Sequence, residues 1–99
     1  MTKSKKITLG VTLWCDGEPK QYEIKGRSAQ TLLALVQSGS RGVTALELSS
    51  WALRLAAYVH ELRQGYGMDI VTQREEHEGG WHGRYVLHTP VEILDIKNN

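Results

Sequence analysis

Ninety-nine residues leave room for one domain with a small core, and an apolar share of 40% is enough to drive its collapse. Twelve Lys and Arg against eleven Asp and Glu give a net charge of +1, so the chain lacks the overall basic excess usual in phosphate binders. The single Cys15 excludes an internal disulfide and a cysteine-paired zinc site, and no apolar run approaches the roughly 20 residues of a membrane-spanning helix. The charge is uneven: residues 1–27 hold six Lys/Arg against three acids, and residues 69–99 hold three against six. The basic start, Met1 to Lys6, leads into alternating residues and not into a signal-peptide core. With one lone thiol, the expectation is a soluble cytoplasmic protein without a membrane partner.

In chain order, Ile7, Leu9, Val11 and Leu13 alternate with Thr8, Gly10, Thr12 and Trp14, which is the period of a half-buried strand. Cys15-Asp16-Gly17-Glu18-Pro19 reads as a turn, and Tyr22 and Ile24 continue in a second strand. Together they predict an N-terminal β-hairpin over residues 6–25, which either extends the wing sheet, covers the first helix or supports a homodimer. Ser28 is a good N-cap for a first helix carrying Ala29, Leu32, Leu33 and Val36, with Gly39 as its terminator. After Ser40-Arg41-Gly42, Thr44 and Glu47 have the spacing of a capping box and predict a short second helix.

A third helix is expected from Trp51 to Gln64, stopping at Gly65-Tyr66-Gly67. Leu55, Val59 and Leu62 form its inner stripe, and Ser50, Leu53, Arg54, Ala57, Glu61 and Gln64 form its outer face. With Leu32 and Val36, the inner stripe is the expected core. Ile70 to Arg74 and Arg84 to Leu87 read as strands, and the polar, glycine-rich stretch Glu75 to Gly83 between them reads as a loop. Val91 to Ile96 adds a last edge strand after Pro90.

Val43-Thr44-Ala45-Leu46-Glu47, Arg54 to Arg63, Asp69-Ile70-Val71-Thr72 and Gly83-Arg84-Tyr85-Val86-Leu87 together resemble a family of small winged helix-turn-helix domains of bacterial and phage proteins, mostly uncharacterised. The resemblance spans roughly Ser28 to Leu87 and does not account for the hairpin before it. It implies an α+β fold with three helices and a β wing, so the whole chain, 1–99, reads as one domain with a winged-helix core over 28–89. It also implies duplex DNA as partner, with the third helix in the major groove.

Base edges are read by Arg, Asn, Gln, Ser or Thr on the outer face of such a helix, which points to Ser50, Arg54 and Gln64. Arg41 and Arg84 are further DNA-binding candidates, and Lys3, Lys5, Lys6 and Arg27 are candidate phosphate contacts. Glu61 opposes this reading, as do Glu75, Glu76 and Glu78 in the wing, whose carboxylates would repel phosphate. The alternative is a protein-interaction module on the same scaffold, with Trp81 and His82 as contact residues. His77, His82 and His88 lie close in sequence but have no spacing of a known metal site. No activated nucleophile, carboxylate pair or phosphate loop stands out, so no metal, cofactor or enzyme activity is expected.

Overall fold

The computed structural model describes residues 7–15, 17–48 and 54–98. The opening alternation becomes β1 (Ile7–Cys15), which turns at Gly17 into β2 (Glu18–Lys25). Pro19 lies inside β2 and not in the turn; β2 is an edge strand, where a missing N–H is tolerated. The hairpin is completed from the far end of the chain. β5 (Val91–Asn98) pairs antiparallel with the other side of β1, giving the strand order β2-β1-β5. The expected edge strand therefore exists, and it makes β1 the middle of a three-stranded sheet separate from the wing.

One face of that sheet is the floor of the core. Leu9, Val11, Leu13 and Ile24 are fully buried under helix α1 (Gly26–Ser38) and helix α2 (Leu55–Tyr66). α1 contributes Ala29, Leu32 and Leu35, and α2 contributes Leu55, Val59 and Leu62. Val36 is only half-buried and packs on the core's margin, because the inward stripe of the helix runs through Ala29, Leu32 and Leu35 and leaves Val36 at its border. Ser28 is buried inside the first turn and Lys25 is the N-cap; Thr31, also buried, satisfies its hydroxyl on the Arg27 carbonyl at 2.8 Å. Tyr22 meets Tyr66 edge-on with ring centroids 5.1 Å apart, tying β2 to the end of α2.

The expected short second helix is a correction. Among the described residues there are two α-helices, and Thr44 to Leu48 is a turn. Its capping box is nonetheless closed in both directions. The Glu47 N–H donates to Thr44 Oγ1 at 3.3 Å, and the Thr44 N–H donates to Glu47 Oε1 at 3.2 Å. One such turn fixes several backbone dihedrals for few hydrogen bonds, so capping alone does not propagate a helix. Residues 49–53, including Trp51, Ala52 and Leu53 of the expected third helix, lie outside the described residues. That helix is described from Leu55, and it runs through Gly65 to Tyr66.

The wing is longer than the sequence suggested. β3 (Ile70–His77) and β4 (Gly80–Leu87) pair along their whole length through a two-residue tip, so most of the expected Glu75–Gly83 loop is strand. At the base, Val43 adds a third partner: its N–H and C=O bond Tyr85 at 2.9 and 2.8 Å. Gly42 permits this approach. Its φ is +75°, and a side chain there would run into the Tyr85 carbonyl and Val86.

Candidate functional site

α2 is held so that its outer face stays open. Leu55, Val59 and Leu62 are buried on the core side, which leaves Arg54, Ala57, His60, Glu61 and Gln64 in solvent. Its C-terminus is closed by Gly67 in the left-handed region, whose N–H donates to the Arg63 carbonyl at 3.0 Å, while the Met68 N–H donates to Leu62. Arg63 does not join the outer face. Its Nε donates to the Ile70 carbonyl at 2.9 Å and its Nη2 to Thr72 Oγ1 at 2.8 Å. This arginine fixes the helix against the first turn of the wing.

The wing has two faces, because residues opposite each other in an antiparallel pair point the same way. On one face Glu75 stands opposite His82, and Gln73 opposite Arg84. Arg84 is the centre of that face. Its Nε donates to Glu75 Oε2 at 2.6 Å, and its Nη1 and Nη2 clasp both oxygens of Glu47 at 3.1 Å. The capping glutamate of the turn is therefore also the anchor of the wing, across 37 residues of sequence. Arg84 holds both carboxylates below the ordinary range by hydrogen bonding; the capping amide of Thr44 assists at Glu47, and His82 assists at Glu75. The same two bonds, Glu75 first and then Glu47, push the Arg84 guanidinium further up. His82 Nε2 lies 2.8 Å from Glu75 Oε1, and a carboxylate only accepts, so Nε2 carries the proton. His82 Nδ1 is buried without a hydrogen-bond partner among the described residues.

The other face carries Thr72, Arg74, Glu76, Trp81 and Tyr85. Arg74 lies over the Trp81 ring, 4.8 Å from its centroid, and Trp81 is 55% exposed. Glu76 Oε2 approaches Arg74 Nε at 3.7 Å, with both side chains largely in solvent. Arg63 of α2 reaches this same face at Thr72, which ties one border of the helix to the wing.

The candidates from sequence separate accordingly. Arg54 and Gln64 are exposed on α2, and Arg41 is exposed at the end of the 3-10 turn Gly39–Arg41. Arg84 is corrected from DNA contact to crosslink: its side chain is 17% exposed and its donors are engaged. Of the alternative pair, Trp81 is exposed, and His82 is turned into the Glu75 network. Arg27 donates to Gln30 at 2.6 Å at the start of α1. Ser50 and Lys3, Lys5 and Lys6 lie outside the described residues. Sequence reasoning missed Arg63, and it offered Arg74 only as a wing cation that offsets the neighbouring carboxylates; its place over Trp81 came from the fold. Among the described residues no group of three or more His, Cys, Asp or Glu could hold a metal ion, although His77 and His82 stack at 5.0 Å.

A helix with an open polar face, followed by a paired ribbon that bonds back to the segment before the turn, is the arrangement of a winged helix. A family described as a winged helix domain matches residues 21–97. The chain belongs to that family. The match begins inside β2 and reaches through β5, so this winged helix domain includes the late strand but not β1, the strand that β5 pairs with. No curated protein and no solved structure matches the chain. No helix among the described residues is long and apolar enough to cross a membrane.

Proposed function

We propose that this winged helix domain binds duplex DNA in a regulatory or accessory role, with α2 in the major groove. Membership of the family supports DNA binding in general. The observation that carries the specific reading is the phase of α2. Full burial of Val59 and Leu62, with Leu55 almost as deep, leaves Arg54 and Gln64 as the outward polar side chains at the two ends of the helix. Arg54, at the N-terminal end where recognition helices approach base edges, is the first base contact; Gln64 supports it. Arg41 and Arg74 contact phosphate on either flank, and Trp81 lies against the backbone beneath Arg74. Arg84 contributes indirectly by holding the wing to the turn. No catalytic step belongs to this reading.

Titration of a labelled duplex at low salt tests it. Arg54→Ala is expected to weaken binding about tenfold, as the loss of one charge-assisted contact does. Glu61→Gln is expected to strengthen it a few-fold by removing a negative charge from the same face. Absence of duplex binding by the wild type at low salt overturns the proposal. The surface around Trp81 then becomes a protein contact, tested first by Trp81→Ala.

A further inference from the structure

The three-stranded sheet has two edges, and they are guarded differently. β2 carries Pro19, which has no N–H to offer, and exposed Glu18, Lys20, Glu23 and Lys25 along its length. Charges and proline are the usual protection of an open edge. β5 is eight residues long, and Leu94 and Ile96 near its middle are each 50% exposed. Among the described residues β5 pairs with β1 alone, so its other side offers an unfilled row of backbone donors and acceptors.

We propose that β5 is the interface with a second copy of this chain, the two strands pairing antiparallel about a two-fold axis between Leu94 and Asp95. The register follows from a bulge. Gly10 stands opposite Asp95 and Val11 opposite Ile93, so β5 carries one extra residue between them. Gly10 accommodates the irregularity: its N–H donates to Asp95 Oδ1 at 3.1 Å, and a side chain on Gly10 would collide with that oxygen. The bulge changes the parity of the strand. Ile93 and Ile96 stand opposite Val11 and Leu9 and so share the core face, while Glu92 and Lys97 stand opposite Thr12 and Thr8 on the other face.

With the axis between Leu94 and Asp95, the pairs on either side of the bulge match on both faces, while the central pair sets Leu94 beside Asp95 of the second copy. Ile93 meets Ile96 of the second copy, covering the exposed half of that side chain, and Glu92 meets Lys97 of the second copy. Each pair occurs twice by symmetry. A slip of one residue sets inward against outward side chains. A slip of two residues in one direction sets Glu92 against Asp95, like charge against like. The bulge itself falls on the axis, so the two copies share the irregularity instead of opposing it to a regular strand. Such a dimer would present two α2 helices to a duplex in inverted orientation, although the proposal itself stands apart from DNA binding.

Sedimentation of the whole protein over roughly 10 to 500 μM tests this, the range expected for a small strand-to-strand contact. The wild type is expected to pass from monomer towards dimer. Glu92→Lys and Lys97→Glu, both at exposed positions and both monitored for unchanged melting, are each expected to raise the dissociation constant about tenfold, since each reverses two symmetric pairs. The double exchange, Glu92→Lys with Lys97→Glu, restores the opposite charges in swapped positions and is expected to recover association to within a few-fold of wild type. A wild type monomeric throughout overturns the proposal. A dimer unmoved by the single reversals places the interface elsewhere, and a double exchange as weak as the singles refutes the register.

Discussion

The two sheets of this small domain are held by opposite means. In the sheet β2-β1-β5, Leu9, Val11, Leu13 and Ile24 are fully buried, and the charged side chains of β2 stand in solvent. In the wing, Ile70 and Val86 are buried at the base, and beyond them the strands are joined by Glu75–Arg84, Glu75–His82 and the Arg74–Trp81 stack. The first sheet is stabilised by removing apolar surface from water, the second by cross-strand polar pairs in reach of solvent. A core built the first way tolerates no change of shape, and a ribbon built the second way stays exposed and polar enough to meet a polar partner.

The contrast gives a descending series of effects. Leu32→Ala, in the fully buried centre of α1, is expected to cost about 2–5 kcal/mol by chemical denaturation; a cost below about 1 kcal/mol would mean the core closes without it. Gly42→Ala is expected to cost roughly 1–3 kcal/mol, since the new side chain meets the Tyr85 carbonyl at a positive φ. Arg84→Met is expected to lower the melting temperature by several degrees, by releasing Glu47 and Glu75 together. It should also change the pH dependence. Because Arg84 keeps both carboxylates low in the folded state, their contribution is full above the ordinary glutamate value of about 4.3 and is lost as the pH falls through their lowered values. The melting temperature of the wild type should therefore fall more steeply in acid than that of Arg84→Met; parallel acid curves would contradict the crosslink. Smallest of all, Trp81→Ala should change stability by less than about 1 kcal/mol, because an exposed cation–π contact contributes little.

The same division explains what was legible in the sequence. Period-two alternation announced β1, and the i, i+4, i+7 spacing of Leu55, Val59 and Leu62 announced α2 and its phase, because burial leaves a periodic trace in the chain. The Thr44–Glu47 box was legible and closes as expected, but local capping does not report whether a helix continues beyond it. The extended wing was not legible. Glu75 to Gly83 has the composition of a loop, and it is strand because Glu75 finds Arg84 and His82 across the ladder. Arg84 read as a free cation for phosphate for the same reason: its partner Glu47 is 37 residues away, and no local pattern joins the two. Glu75 likewise read as a repelling charge, although Arg84 largely satisfies it. Of the candidate site, Arg54 and Gln64 follow from helical phase, whereas Arg63 required the packing of α2 on the wing and the Arg74–Trp81 stack required the register of the wing's ladder.

The proposed interface for duplex DNA is α2 with the Arg74–Trp81 face of the wing, Arg54 being its base contact and Arg74 and Arg41 its flanking phosphate contacts. The most direct measurement is the affinity for a labelled duplex across a salt series, for wild type and for Arg74→Ala. Two phosphate-facing cations, Arg41 and Arg74, predict a slope of log affinity against log salt of about −2, reduced by about one in Arg74→Ala. A slope unchanged by removing Arg74, or no duplex binding at the lowest salt, would contradict the account.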